Sequence, residues 1–302
     1  MALDTATDFY VLGSRDLIDL GMSANQLRHD LHPERVVTYE LRGRACSLEE
    51  SVSETVSHGG ISVDLEQICD IEYGSLDALK SSLAAQRSRF SAVTFQHLPI
   101  SKLASSVGSV LAFGQILPDL CAAGLRSISM EFEPALSILP KEWFRNLFRA
   151  ASGCDLCIAV SIVIGNSESF EQRIDTLKLM RDLQQDSGSI QVALVRVHRS
   201  TATDARREEE ATAVDYLKTL ATARLLLDNV PHIQTDWSVM GPKILELALR
   251  FGADDAGAIP WNQSDSPEPS HHGGESELRR IIRDAGFRPV ERDALFRQSL
   301  LR

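Results

Sequence analysis

The chain has 302 residues, 43% of them hydrophobic and 24% charged, with a formal net charge of −11. That is a globular mixture, long enough for one large domain or two small ones, and it excludes fibrous and disordered classes. The acidic balance argues against general binding to nucleic acid or to anionic membrane, a local basic patch aside, and no run approaches the ~18 uninterrupted apolar residues of a membrane span.

Residues 1–10 carry Asp4 and Asp8 and have neither a basic nor an apolar region of the kind that makes a secretory signal. Leu17, Leu20, Ala24, Leu27 and Leu31 then recur at helical spacing. Ser23 with Gln26 three residues on is a capping-box signal, which predicts two helices meeting near Gly21, ended by His32-Pro33. A β-branched run over 35–41 predicts the first strand. Ser47 and Glu50 open a helix towards His58, stopped by Gly59-Gly60. Strands follow at 61–68, 92–97, 125–132, 157–164, 190–198 and 232–237, with helical stripes over 76–87, 100–123 (broken near Gly108), 140–150, 170–183 and 214–225. The 157–164 run is almost wholly apolar, as in a strand buried on both faces. Pro242 fits a first helical position and Gly252 ends that helix. Residues 255–260 are a weak eighth strand. Residues 261–274 read as a loop, and 201–210 as a loop or an exposed helix start. Leu278, Ile281, Ile282 and Ala285 mark a final helix, stopped by Gly286 and Pro289.

Strand alternating with helix implies a parallel sheet covered by helices. The expected fold is α/β, a (β/α)8 TIM-type barrel, intact or slightly degraded. It divides into an N-terminal helical arm (1–34), the barrel (35–260) and a loop with a C-terminal helix packed on it (261–302). A doubly wound open sheet is the alternative, but the glycine fingerprint that would favour it is missing. Barrel chemistry collects at the C-terminal strand ends. The sequence puts Glu66, His97, Glu131, Glu133, Arg196, His198, Asp236 and Trp237 there, a candidate ligand-binding rim of acids, imidazoles and one guanidinium. Each taken singly is also what a solvated loop or a satisfied core polar group would supply.

His97, His198, Glu131 and Asp236 have the right chemistry for zinc or iron, but no local spacing motif supports a metal, and none is expected. His271-His272 falls in a Ser/Pro/Gly loop. The five cysteines, Cys46, Cys69, Cys121, Cys154 and Cys157, are sparse and odd in number, which is not a disulfide framework and suits a reducing cytoplasm. Cys154 and Cys157 form a C-x-x-C that enters a buried strand at the end opposite the expected site, where small apolar packing is the plainer role. There is no G-x-S-x-G, Walker loop or dinucleotide fingerprint.

Three stretches in the C-terminal half carry a resemblance: residues 213–234, Gly241-Pro242-Lys243 followed by 247–255, and Ala285-Gly286-Phe287-Arg288-Pro289 followed by Arg292-Asp293. With the arm, 16–21 through 32–39, they resemble the futalosine-pathway radical SAM enzymes of menaquinone biosynthesis, dehypoxanthine futalosine cyclase and aminofutalosine synthase. The resemblance spans nearly the whole chain, strongest at the C-terminus. It implies a barrel with a 4Fe–4S cluster and S-adenosylmethionine. The family holds its cluster with a C-x-x-x-C-x-x-C loop after the first strand. Here that strand runs through Arg42-Gly43-Arg44-Ala45 to Cys46, and the loop is missing. The family's glycine pair after the second strand reads Glu66-Gln67-Ile68, and its Gly-rich end of the fourth strand reads Met130-Glu131-Phe132-Glu133, while Gly165 is retained. Without three converging thiolates no site-differentiated cluster can reduce the sulfonium.

The expectation is therefore a family fold without its cofactors: a pseudoenzyme barrel binding a small polar or nucleoside-like metabolite, or a partner enzyme of the pathway. A non-radical lyase or hydrolase using the rim acids and histidines is a second reading. A working radical SAM cyclase is the third.

Overall fold

The computed structural model describes residues 17–43, 47–66, 68, 76–101, 113–134, 140–198, 211–235, 237–261 and 274–297. The arm is one helix, α1 (Leu17–Leu31), leading into strand β1 (Val36–Arg42). Helix α2 (Leu48–Ser57), strand β2 (Ser62–Asp64), helix α3 (Leu76–Arg89) and two short strands, β3 (Thr94–Gln96) and β4 (Leu98–Pro99), follow. Then come α4 (Phe113–Ala122), β5 (Ser127–Phe132), α5 (Lys141–Ser152), β6 (Cys157–Ile164), α6 (Phe170–Ser187) and β7 (Ile190–Val197). The chain continues through α7 (Ala213–Leu226), β8 (His232–Gln234), α8 (Trp237–Met240), α9 (Pro242–Arg250) and β9 (Asp255–Pro260), and closes with α10 (Glu275–Asp284) and β10 (Arg288–Glu291).

All pairings are parallel. The main sheet runs β10-β1-β9-β8-β7-β6-β5-β4, and β2 pairs with β3 beside it, with a bridge from Phe95 to Leu125 linking the two. The order is that of a (β/α)8 barrel, but the sheet is an open, curled half-barrel. Among the described residues no ladder joins β1 to β2, because β10 takes the edge of β1 at Val36–Tyr39. The barrel expectation is thus met in its degraded form. The extra strand β10 had no signal beyond Pro289, which the sequence reading took as a stop; proline is tolerated here because β10 lies at the sheet edge.

Local chemistry fixes the helices. Ser169 and Gln172 cap α6 reciprocally, and Gly188, at φ 65°, ends it. Thr212 and Asp215 do the same for α7, and Pro242 opens α9. The expected break near Gly21 does not occur. Ser23 Oγ donates to the carbonyl of Asp19 (2.9 Å) inside a continuous α1, so it sits mid-helix and caps nothing. Gly21 is needed for a different reason: a Cβ there would meet the Phe251 ring at 2.7 Å. The arm packs on α7 and α9 with Leu20 and Ala24 buried. Among the described residues no helix is long and apolar enough to cross a membrane.

Candidate functional site

Inward-facing positions on a strand alternate. On β1 these are Glu40 and Arg42, on β5 Ser129 and Glu131, on β7 Val192, Leu194 and Arg196. Their side chains converge with Glu66, His97, Gln234 and Arg292 inside the curl. The convergence builds two ion-paired layers. In the upper one, Arg196 Nη1 bonds Glu66 (2.7 Å) and Glu131 (2.8 Å), joining β7 to the segment after β2 and to β5. Arg42 pairs with Asp64, and His97 Nδ1 lies 3.3 Å from the same carboxylate, so the ends of β1 and β2 are tied across the gap where no ladder runs. In the lower layer Arg292, 2% exposed, binds Asp255 through both Nε (2.6 Å) and Nη2 (2.9 Å) and reaches Glu40 at 3.2 Å. Phe296 lies under the guanidinium, 3.9 Å from it, and packs on Ala159, Val192 and Leu194.

Charge follows burial and pairing. Burial opposes the ionisation of Glu66, but Arg196 outweighs it and holds the carboxyl below its usual range. Burial drives His97 down to about 4, so the imidazole is neutral at pH 7 despite Glu40 and Glu66. His97 is also a non-glycine residue at φ 52°, held there by a hydrogen bond from its N–H to Ser127 Oγ (2.9 Å). The cavity left within this network is about 30 Å³, the volume of about one water molecule and far below the ~300–1,000 Å³ of ligand sites.

Gly165 makes a parallel point. At φ 91° its N–H and that of Asn166 point at one carboxylate, Glu168 (2.7–3.1 Å), which Arg173 also holds at 2.6 Å. The retained glycine turn is a backbone nest occupied by the chain's own side chain.

A larger cavity, about 680 Å³, adjoins the rim between β5, α5 and α6. Glu131 and Glu133 line it together with Lys141, Lys178, Phe144 and Leu179. Of the expected rim residues, then, Glu66, His97, Glu131 and Arg196 meet in one network, and Glu133 joins Glu131 in the neighbouring cavity. His198 donates its backbone N–H to Ile164 (2.7 Å) and closes the β6–β7 ladder. Trp237 opens α8 and is buried against the core, since β8 ends at Gln234, three residues before it. Asp236 lies outside the described residues, as do His271 and His272. Sequence reading missed Glu40, Arg42, Asp64, Asp255 and Arg292. The alternation on β1 marked the first two as inward, and Arg292 stood in plain view within the C-terminal signature.

The cluster implied by the resemblance does not fit the donors present. Cys121, Cys154 and Cys157 are free and sit at the opposite end of the sheet, in the last turn of α4 and at the entry to β6. Burial raises the thiol pKa of Cys121 to about 11 and that of Cys157 above its ordinary value, which makes them packing groups. Cys46 and Cys69 lie outside the described residues and are the two thiols that follow the ends of β1 and β2, where three thiolates are required. Among the described residues, the group with metal-like spacing is His32, His232 and Asp254, with ligand atoms within 4.8 Å of one another, also at the far end. Arg224 and the N–H of Ile233 already hold one Asp254 oxygen, and His232 Nδ1 (2.5 Å) holds the other. The trio clamps the arm to the sheet.

Comparison with known proteins agrees with this architecture. Residues 188–300 match the CofH/MqnC C-terminal region. The chain is 24% identical to the cyclic dehypoxanthine futalosine synthase of Halalkalibacterium halodurans over 97% of its own length and 90% of the relative's. It is 30% identical to the aminodeoxyfutalosine synthase of Streptomyces coelicolor, over 62% of its own length and 55% of the relative's. In fold it resembles methylornithine synthase (TM-score 0.70, 15% identity, 96% and 94% of the two chains). It also resembles the hydrogenase maturase HydG (TM-score 0.65, 12% identity, 92% and 71%). Over nearly its whole length the chain is similar to futalosine-pathway enzymes, with a radical-SAM-like barrel, and its sequence lacks the clustered cysteine motif expected for a 4Fe–4S site.

Proposed function

We propose that this chain keeps the scaffold of its relatives but has given up their radical chemistry, and that it binds a small polar or nucleoside-like metabolite of the futalosine pathway in the cleft beside the rim. One observation carries the reading. The strand ends where a cluster and a sulfonium cofactor would meet are occupied by interlocked arginine–carboxylate pairs around about 30 Å³ of space. The adjoining cavity supports the choice of ligand class: its volume suits a nucleoside-sized molecule, Phe144 and Leu179 offer an apolar floor, and Glu131, Glu133 and Lys141 offer hydrogen bonds to hydroxyls and ring nitrogens. The cytoplasm is the compartment that five scattered thiols suit.

Anaerobic treatment with iron and sulfide, then S-adenosylmethionine and dithionite, should yield no 5′-deoxyadenosine. Calorimetry with futalosine-like nucleosides should give saturable binding, weakened at least tenfold by Lys141→Glu. Release of 5′-deoxyadenosine would restore the radical enzyme, and failure of every pathway nucleoside to bind would remove the metabolite and leave a partner enzyme as the occupant.

A second reading has its own support in His97. A strained, half-buried, neutral imidazole 3.3 Å from Asp64 is arranged as a general base would be, which suits a non-radical lyase or hydrolase. Turnover of a pathway metabolite that His97→Ala abolishes without unfolding would favour it over binding alone.

A further inference from the structure

At the other end of the molecule, α1, the end of α9 and the turn between α10 and β10 enclose a cleft of about 470 Å³ that the rim does not share. Arg28, Arg35, Arg250 and His29 line it, and Phe251 and Phe287 form part of its wall. Among the described residues no aspartate or glutamate lines it, in a chain whose net charge is −11.

The cations there are poorly compensated. Arg28 is 2% exposed. Its Nε donates to Asn25 Oδ1 (3.1 Å) and its guanidinium lies 4.3 Å from the Phe287 ring centre, but Nη1 is buried with no acceptor among the described residues, and so is His29 Nδ1. The carboxylates nearby are engaged elsewhere. Asp254 is held by Arg224 and His232 and Glu34 is 3.8 Å from His32, while Glu246, outside the cleft lining, is 3.9 Å from Arg250 and is the one carboxylate paired with a cleft arginine among the described residues. Burial lowers the pKa of Arg28, Asp254 opposes that, and the charges of Arg224 and Arg35 add to the lowering. A buried guanidinium with a spare donor, in a cavity walled by two more arginines, is a site short of negative charge.

We propose that the cleft between the arm helix and the C-terminal turn binds a small phosphate ester, its dianionic phosphate held by Arg28, Arg35 and Arg250. Three guanidiniums lining one cleft match a dianion better than a single carboxylate, and the planar forks suit phosphate oxygens. The volume exceeds what a phosphate needs, and Phe251, Phe287 and the exposed Ile18 and Met22 offer apolar surface to the organic part of the ester. Because the arm supplies one wall, occupancy would also tighten the arm against the sheet.

The test uses the full chain at low ionic strength, with inorganic phosphate as the probe and acetate as the monoanion control. Calorimetry should show saturable phosphate binding, at least tenfold tighter than acetate, with a matching rise in Tm. Arg35→Glu combined with Arg250→Glu changes surface side chains and should weaken phosphate at least tenfold while circular dichroism stays unchanged. Lys141→Glu, at the distant rim cavity, should leave phosphate affinity as it was. No saturable phosphate binding, acetate binding as tightly, equal affinity in the double variant, or loss of affinity in Lys141→Glu would each overturn the assignment.

Discussion

Arg292→Met tests whether the interior of the half-barrel is held by its own charges. Methionine keeps most of the volume and removes the guanidinium. Asp255, wholly buried, loses two charge-assisted hydrogen bonds, and Glu40, 4% exposed, loses one. Thr38 Oγ1 still donates to Asp255 (2.5 Å), so one carboxylate keeps a partner. Removing one member of a buried pair costs about 3–5 kcal/mol, because the remaining charge stays desolvated. At roughly 2–3 °C per kcal/mol for a chain of this length, Tm should fall by ~10 °C. Urea unfolding followed by circular dichroism gives the free energy, and calorimetry gives Tm. Arg292→Lys restores the charge without the two-pronged fork and should recover only part of the loss. A loss below about 1 kcal/mol in Arg292→Met would refute the reasoning, since it would mean that the network is solvated and the interior is not closed by ion pairs.

Burial opposes the charge on Asp254, yet Arg224, His232 and His32 hold its pKa down to about 2. A carboxyl depressed in the folded state adds stability above its unfolded pKa, near 4, and loses it as pH falls towards 2. Asp254→Asn should flatten that acid limb and loosen the arm, read by unfolding at a series of pH values. His97, driven down to about 4 by burial, should stay neutral in NMR titration through pH 6–7, and its stabilising neutral form is lost as pH falls from about 6.5 to 4. A midpoint above 6 would mean that the ring is solvated. Gly252→Ala meets φ 103° and places Cβ 2.8 Å from Arg224 Cβ, whereas Gly188→Ala meets φ 65° with open space around it. The first should cost at least ~2–3 kcal/mol and the second about 1, measured by urea unfolding. Equal costs would show that the Arg224 contact on α7 yields freely.

Periodicity, caps and glycines made most of the fold legible. The α6 boundaries followed from Ser169, Gln172 and Gly188, and α9 from Pro242, because these signals act within one turn of chain. Local sequence also named Glu66, His97, Glu131 and Arg196, since barrel side chains at C-terminal strand ends gather at the mouth. The missing cysteine loop was likewise a fact of sequence alone: thiols absent from the chain cannot be gathered by folding. What sequence did not disclose was pairing at long range. Asp64 and Arg42 lie on strands that share no ladder. Arg292 finds Glu40 across most of the chain, and a proline at the last strand edge hid the residue pair that brings it there. The arm cleft is the clearest case. Arg28, Arg35 and Arg250 are unremarkable charges along the chain, and only the docking of α1 on α7 and α9 sets them around one cavity, because electrostatic surplus is a property of distance in space and not of spacing in sequence.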